Sequence, residues 1–218
     1  MQFIMPLKIE SFEDEFIDKI CKESIDDLNK FYEIGWVHHL PVTIVVKDRK
    51  SIDLLKGEKT ESWVVGWSEG NKVFILDRNN FNAESDHKYS PETYYSLLKH
   101  EISHAFYRIL SGGNMKPVWL CEGVAIYTSG QNKQKRPVES FNEFLSFHEK
   151  GDKGVYAESG FAVHLLVKEF GKQKLLDLIK GLISIASQKD FTELFIQIYG
   201  IEPTYEKFNE LLKKHPVE

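Results

Sequence analysis

The hydrophobic pattern of this chain changes character once, after Leu76, and that change limits the folds open to it. Before it, Val42–Val46, Trp63–Trp67 and Val73–Leu76 are short runs rich in β-branched and aromatic residues. The last two are joined by Ser68-Glu69-Gly70-Asn71, which reads as a hairpin turn. One amphipathic helix precedes them: between Ile9 and Phe31, the residues Phe12, Phe16, Ile20, Leu28 and Phe31 fall on one helical face. Beyond Leu76 the signals are helical. Ser90-Pro91-Glu92 supplies an N-cap oxygen, a proline at the first helical position and an acid at the positive end of the dipole. That helix should reach about Leu110, where Gly112 and Gly113 stop it. A second is expected from Pro117 to Gly130. A third starts on a Ser140/Glu143 capping box and ends by Gly151, and four more cover residues 155–170, 173–186, 191–199 and 204–214. Strands first and helices afterwards predict an α+β fold: a small antiparallel or mixed sheet, then a helical bundle. A single domain over residues 1–218 is expected, with its sheet in 1–90 and its helices in 91–218.

Composition narrows the function classes. The 218 residues can bury one substantial core, and 42% hydrophobic with 28% charged residues is the balance of an ordinary globular chain. A net charge of −5 argues against a nucleic-acid surface, and the densest basic run, Lys133 to Arg136, reads as a loop. Two cysteines, Cys21 and Cys121, cannot build a disulfide framework and lack CxxC spacing. The opening MQFIMPLKIESF lacks the pattern of a secretory leader, and no run approaches the roughly 18 apolar residues of a membrane span. A cytoplasmic protein that engages neither membrane nor nucleic acid is therefore expected.

The chemistry concentrates in His100-Glu101-Ile102-Ser103-His104, inside the helix that begins at Pro91. Side chains four apart share a face, about 6 Å apart along the axis, so two imidazoles can meet on one ion. Glu101 is swung round by about 100° and can reach a metal-bound water without ligating. Zinc bound catalytically needs a third protein ligand and an open fourth position. A glutamate stands near the start of the next helix, in Trp119-Leu120-Cys121-Glu122-Gly123-Val124-Ala125-Ile126-Tyr127.

An acid so placed after an HExxH helix resembles the gluzincin metallopeptidases. The segment WLCEGVAIY is similar to the WLNEGFASY-type segment of the alanyl aminopeptidase family, in which that glutamate is the third zinc ligand. Here 17 residues separate His104 from Glu122, close to the gap usual in that family. Tyr156-Ala-Glu-Ser-Gly-Phe-Ala-Val-His-Leu-Leu also looks like the aminopeptidases' Tyr-x-x-Gly-Ala-x-x-Leu helix, whose tyrosine stabilises an oxyanion. The resemblance covers Trp63 to the carboxyl end and is closest to compact, aminopeptidase-like peptidase domains. It implies a zincin-like fold and one zinc held by His100, His104 and Glu122. It further implies Glu101 as general base, Tyr156 as oxyanion donor, and a peptide or protein substrate. By the same analogy, Lys72 to Asp77 is the edge strand along which an extended peptide would pair.

Two departures stand beside the match. No GAMEN-type segment precedes HExxH, so the amino-terminus recognition of an exopeptidase is missing. Ile126, four residues after Glu122, replaces the aspartate that orients a histidine ligand in thermolysin-like enzymes, so another group must hold that tautomer. Tyr127 could line the cleft or the core. Cys121 reads as a small buried hydrophobe, and His38, His39 and His164 have no partner at ligand spacing. The competing reading is a zinc-bearing regulatory or peptide-binding module with little turnover.

Overall fold

The protein is described from a computed structural model, over residues 11–147 and 153–217. Helix α1 (Glu15–Tyr32) begins where the Asp14 carboxylate accepts the amides of Phe16 and Ile17, and ends at Glu33 in a left-handed conformation. The expected start at Ile9 lies outside the described residues, and Phe12 precedes the helix and is exposed. Strand β1 (Val42–Val46) leads into α2 (Arg49–Lys56), which lies outside the expected elements. Its sequence RKSIDLLK is short and largely polar and buries only Ile52, so few apolar positions mark it.

Strands β2 (Gly66–Glu69) and β3 (Lys72–Leu76) form the expected hairpin, with Gly70 at positive φ in the turn. The sheet is mixed. β1 pairs parallel to β3 from Val42↔Lys72 to Val46↔Leu76, and β2 pairs antiparallel on the other side. β3 is therefore the central strand, which corrects the expectation that Lys72–Asp77 would be the open edge. Val73, Phe74, Ile75 and Leu76 are all buried, and a strand apolar on both faces belongs in the middle of a sheet. The edges are β1 and β2. Residues Trp63–Val65, expected in a strand, approach β2 as a loop. Arg49 holds that loop: its guanidinium donates to the carbonyls of Glu61, Ser62, Val64 and Glu84 and to the Thr60 hydroxyl.

After the one-turn helix α3 (Phe81–Glu84), α4 (Pro91–Leu110) runs through the middle of the molecule. Ser90 caps it through the Thr93 amide, Pro91 opens it, and Gly112 and Gly113 follow at positive φ. It packs against α1 on one side, the sheet on another, and α5 (Val118–Ser129) on a third. Behind the histidines, Tyr32 Oη meets Ser103 Oγ at 2.8 Å, and Ser103 Oγ meets Thr128 Oγ1 at 2.9 Å, so α1, α4 and α5 share one hydroxyl chain.

Helix α6 (Lys153–Phe170) lies tightly on α5, followed by α7 (Lys172–Gly181), α8 (Gln188–Tyr199) and α9 (Tyr205–Lys214). Trp119, Phe144, Phe191, Phe195 and Phe208 close the core between these helices. The helix expected from Ser140 is absent over its described part, residues 140–147, and its end near Gly151 lies outside the described residues. The carboxylate of Glu158 on α6 accepts the amides of Asn142, Glu143 and Phe144, so groups that a capping box would have served are satisfied from outside. Among the described residues no helix is long and apolar enough to cross a membrane.

Glycine sets the α5–α6 distance. A Cβ on Gly123 would meet Ser159 O at 2.6 Å and Val163 Cγ2 at 2.8 Å, a contact with backbone that no rotamer relieves. The Gly123→Ala variant should lose about 1–3 kcal/mol of stability. Denaturant melts read this directly, and a variant as stable as the parent would show that the two helices separate freely.

Candidate metal centre

The helical repeat of α4 brings His100 and His104 together as the spacing requires. Their rings stand at 87° to one another with centroids 4.7 Å apart, and their Nε2 atoms are 3.1 Å apart. Glu122, in the second turn of α5, points its Oε2 at both: 3.3 Å from His100 Nε2 and 3.5 Å from His104 Nε2. A small tetrahedral cation with nitrogen and oxygen ligands at about 2.0–2.1 Å has ligand-to-ligand edges of about 3.4 Å. The three edges here match that size. Among the described residues, these three form the group of His, Cys, Asp and Glu side chains that could hold a metal ion.

Two further observations support a cation at this place. Both imidazoles are buried, and Glu122 Oε2 is buried without a hydrogen-bond partner among the described residues. Such a carboxylate oxygen is costly unless a positive centre faces it. Burial pushes the Glu122 carboxyl up, but His104 and His100 outweigh it and hold the group below the usual carboxylate range. Burial pulls His104 down, while the Cys121 and Glu122 side chains lift it well above the ordinary imidazole value. A proton and a metal ion therefore compete for the same face of the ring.

The tautomers have their own supports. His100 Nδ1 lies 3.0 Å from Gln131 Oε1, in the 3-10 turn Gln131–Gln134 that follows α5. His104 Nδ1 lies 3.2 Å from Cys121 Sγ. With Nδ1–H donated to each acceptor, both Nε2 lone pairs are free to face the cluster. Gln131 and Cys121 thus stand behind the two histidines, at the ring nitrogens that face away from the cluster. The sequence favours Cys121 as a small buried hydrophobe, and Gln131 gives no signal there because its role depends on where the chain turns after Gly130. Burial pushes the Cys121 thiol up, in keeping with a neutral sulfur that accepts.

Glu101 is buried beside the cluster, against the edge strand. A Cβ on Gly66 of β2 would meet Glu101 Cγ at 3.2 Å and its Oε1 at 3.3 Å, so the strand backbone runs directly over the carboxylate. Burial raises the Glu101 carboxyl, and His100 and His104 pull it partly back. The cleft that contains His100, Glu101, His104 and Glu122 is also lined by Trp63, Gly66 and Tyr156. Trp63 packs its ring 5.9 Å from that of Tyr156. Burial and the carboxylates of Glu122 and Glu101 raise the Tyr156 hydroxyl, which stays a phenol able to donate. Lys135 Nζ donates to the Tyr156 carbonyl, and burial lowers its pKa to about 8.

Other candidates fall elsewhere. Tyr127 packs against Phe31 and His164, 6.1 Å and 6.0 Å away, and does not line the cleft. His38, His39 and His164 are likewise outside it. No family model matches the chain, and no curated protein or solved structure matches it.

Removing an acceptor behind a ligand histidine weakens metal binding while leaving the three ligands intact. Gln131→Leu and Cys121→Ala should each lower metal affinity by about 10–100-fold. Competition against a chromophoric chelator measures this; unchanged affinity in both would show that neither contact holds a tautomer.

Proposed function

We propose that this chain is a zinc-dependent peptidase of the gluzincin type, with a zincin-like fold. The observation that carries the reading is the convergence of His100 Nε2, His104 Nε2 and Glu122 Oε2 beside a buried Glu101 that takes no part in the cluster. Two nitrogens and one carboxylate oxygen, with a cleft open beside them, form the donor set of catalytic zinc. Bound zinc supplies a Lewis acid that acidifies a water and polarises a carbonyl.

The chain's own groups supply the rest. Glu101 accepts the proton of the attacking water at its carboxylate and returns it to the departing amine. Burial raises the proton affinity of Glu101 and suits it to both halves of that transfer. The Tyr156 hydroxyl donates a hydrogen bond to the oxygen on which negative charge develops. Lys135, bonded to the Tyr156 carbonyl, holds the first turn of α6 against the segment that carries Gln131. Strand β2 offers an open edge beside Glu101, so an extended peptide can pair with it while its scissile bond lies over the cluster. Trp63 provides an aromatic wall at the same place.

A zinc-loaded preparation screened against a peptide library tests the reading. Glu101→Gln should retain zinc and lose about 10²–10⁴ in rate. If library cleavage persisted undiminished in that variant, the activity would belong to a contaminant or to another group. Tyr156→Phe should lose about 10²–10³ in kcat with KM and zinc content little changed. A loss of stability with normal turnover would instead make Tyr156 a packing residue.

A further inference from the structure

The face of α4 that presents His100 and His104 continues to Arg108, four residues on and about 6 Å further along the axis. Arg108 lines the same cleft as the metal cluster. It is half-buried, and its Nε is fully buried without a hydrogen-bond partner among the described residues. The two other half-buried arginines of the chain are well paired. Arg49 holds the loop of residues 60–64, and Arg78 meets the Asp14 carboxylate at 3.1 Å. Arg136, the fourth, is exposed. A buried guanidinium N–H without an acceptor is costly, and because Arg108 lines the cleft a ligand there can supply one.

The surrounding charge points the same way. Lys135, Arg136 and Lys153 join Arg108 on the cleft wall, although the chain as a whole carries a net charge of −5. Three acids face these four cations, Glu101 and Glu122 at the cluster and Asp86, which accepts from the Ser62 hydroxyl, and a metal ion at the cluster would add to the positive side. A cationic cleft in an acidic protein selects for anionic ligands and repels cationic ones.

We propose that the cleft takes a peptide bearing a carboxylate, which Arg108 holds one helical turn beyond His104. This rests on the peptidase reading for its substrate class and deepens it. A rise of about 6 Å is roughly two residues of extended chain, so the carboxylate lies within one or two residues of the scissile bond. It is either an aspartate or glutamate side chain or the free carboxyl terminus. A planar guanidinium meets both through paired N–H···O bonds.

Matched fluorogenic peptides separate the sources: Glu against Gln at each position near the cleaved bond, and free against amidated carboxyl termini. With the zinc-loaded 218-residue chain, the carboxylate member of one pair should have a kcat/KM higher by about tenfold or more. Arg108→Met should bring that ratio toward one, and Arg108→Lys should retain part of it. Loss on amidation alone assigns the terminal carboxylate; loss on Glu→Gln alone assigns the side chain. Ratios near one for every pair in the parent protein would overturn the proposal, and that comparison needs no variant to fold.

A binding arm keeps this apart from the peptidase reading. In zinc-loaded Glu101→Gln, tryptophan fluorescence should report about tenfold tighter binding of the carboxylate peptide, lost when Arg108→Met is added. Preferential binding without hydrolysis of any peptide would end the peptidase reading and leave the Arg108 site standing. Hydrolysis without preference would do the reverse.

Discussion

The burial of three ionisable side chains on the central helix is the constraint on which the rest of this structure depends. His100, Glu101 and His104 lie in the most enclosed part of α4, where an unmatched polar group costs several kcal/mol. Each neighbouring element answers with a particular contact. Helix α5 brings Glu122 to both imidazoles and Cys121 to the back of His104, and the turn after it brings Gln131 to His100. Strand β2 passes over Glu101 with a glycine, the residue that leaves room for the carboxylate. Helix α1 anchors the opposite face of α4 through Tyr32 and Ser103.

This arrangement explains why small residues fall where they do. Glu122 can reach the histidines only if α5 lies close to α4, and Tyr156 can line the same cleft only if α6 lies close to α5. Gly123 and Gly160 allow the second approach, and a side chain at either would strike the facing helix. Packing and chemistry are therefore coupled: the α5–α6 spacing that closes the core also sets the width of the cleft.

Local signals made much of this legible in the sequence. Ser90-Pro91 and the paired glycines after Leu110 bound α4, and the four-residue spacing alone puts both histidines on one face. The Gly70-Asn71 hairpin was equally plain. What depended on distant partners was not. β1 docks on β3 through a crossover that includes the short, polar α2, so the strand that looked like an edge is central. The Ser140/Glu143 pattern suits a capping box, yet Glu158 from another helix takes the amides that the box would have organised. Gln131, Cys121 and Arg108 acquire meaning only from their neighbours across the fold. Tyr156, which the resemblance singles out, and Tyr127, which the sequence leaves open between cleft and core, differ because α6 turns the first toward the cleft while α5 turns the second toward Phe31.

The central claim is that the two histidines and Glu122 form one metal site, and metal analysis joined to X-ray absorption on the purified chain tests it most directly. One zinc per chain is expected, with two imidazole nitrogens and a carboxylate oxygen at about 2.0–2.2 Å, and most of it should be lost on Glu122→Ala. A chain that takes up no metal, or that keeps it with the same coordination after His100 and His104 are both replaced by alanine, would refute the site.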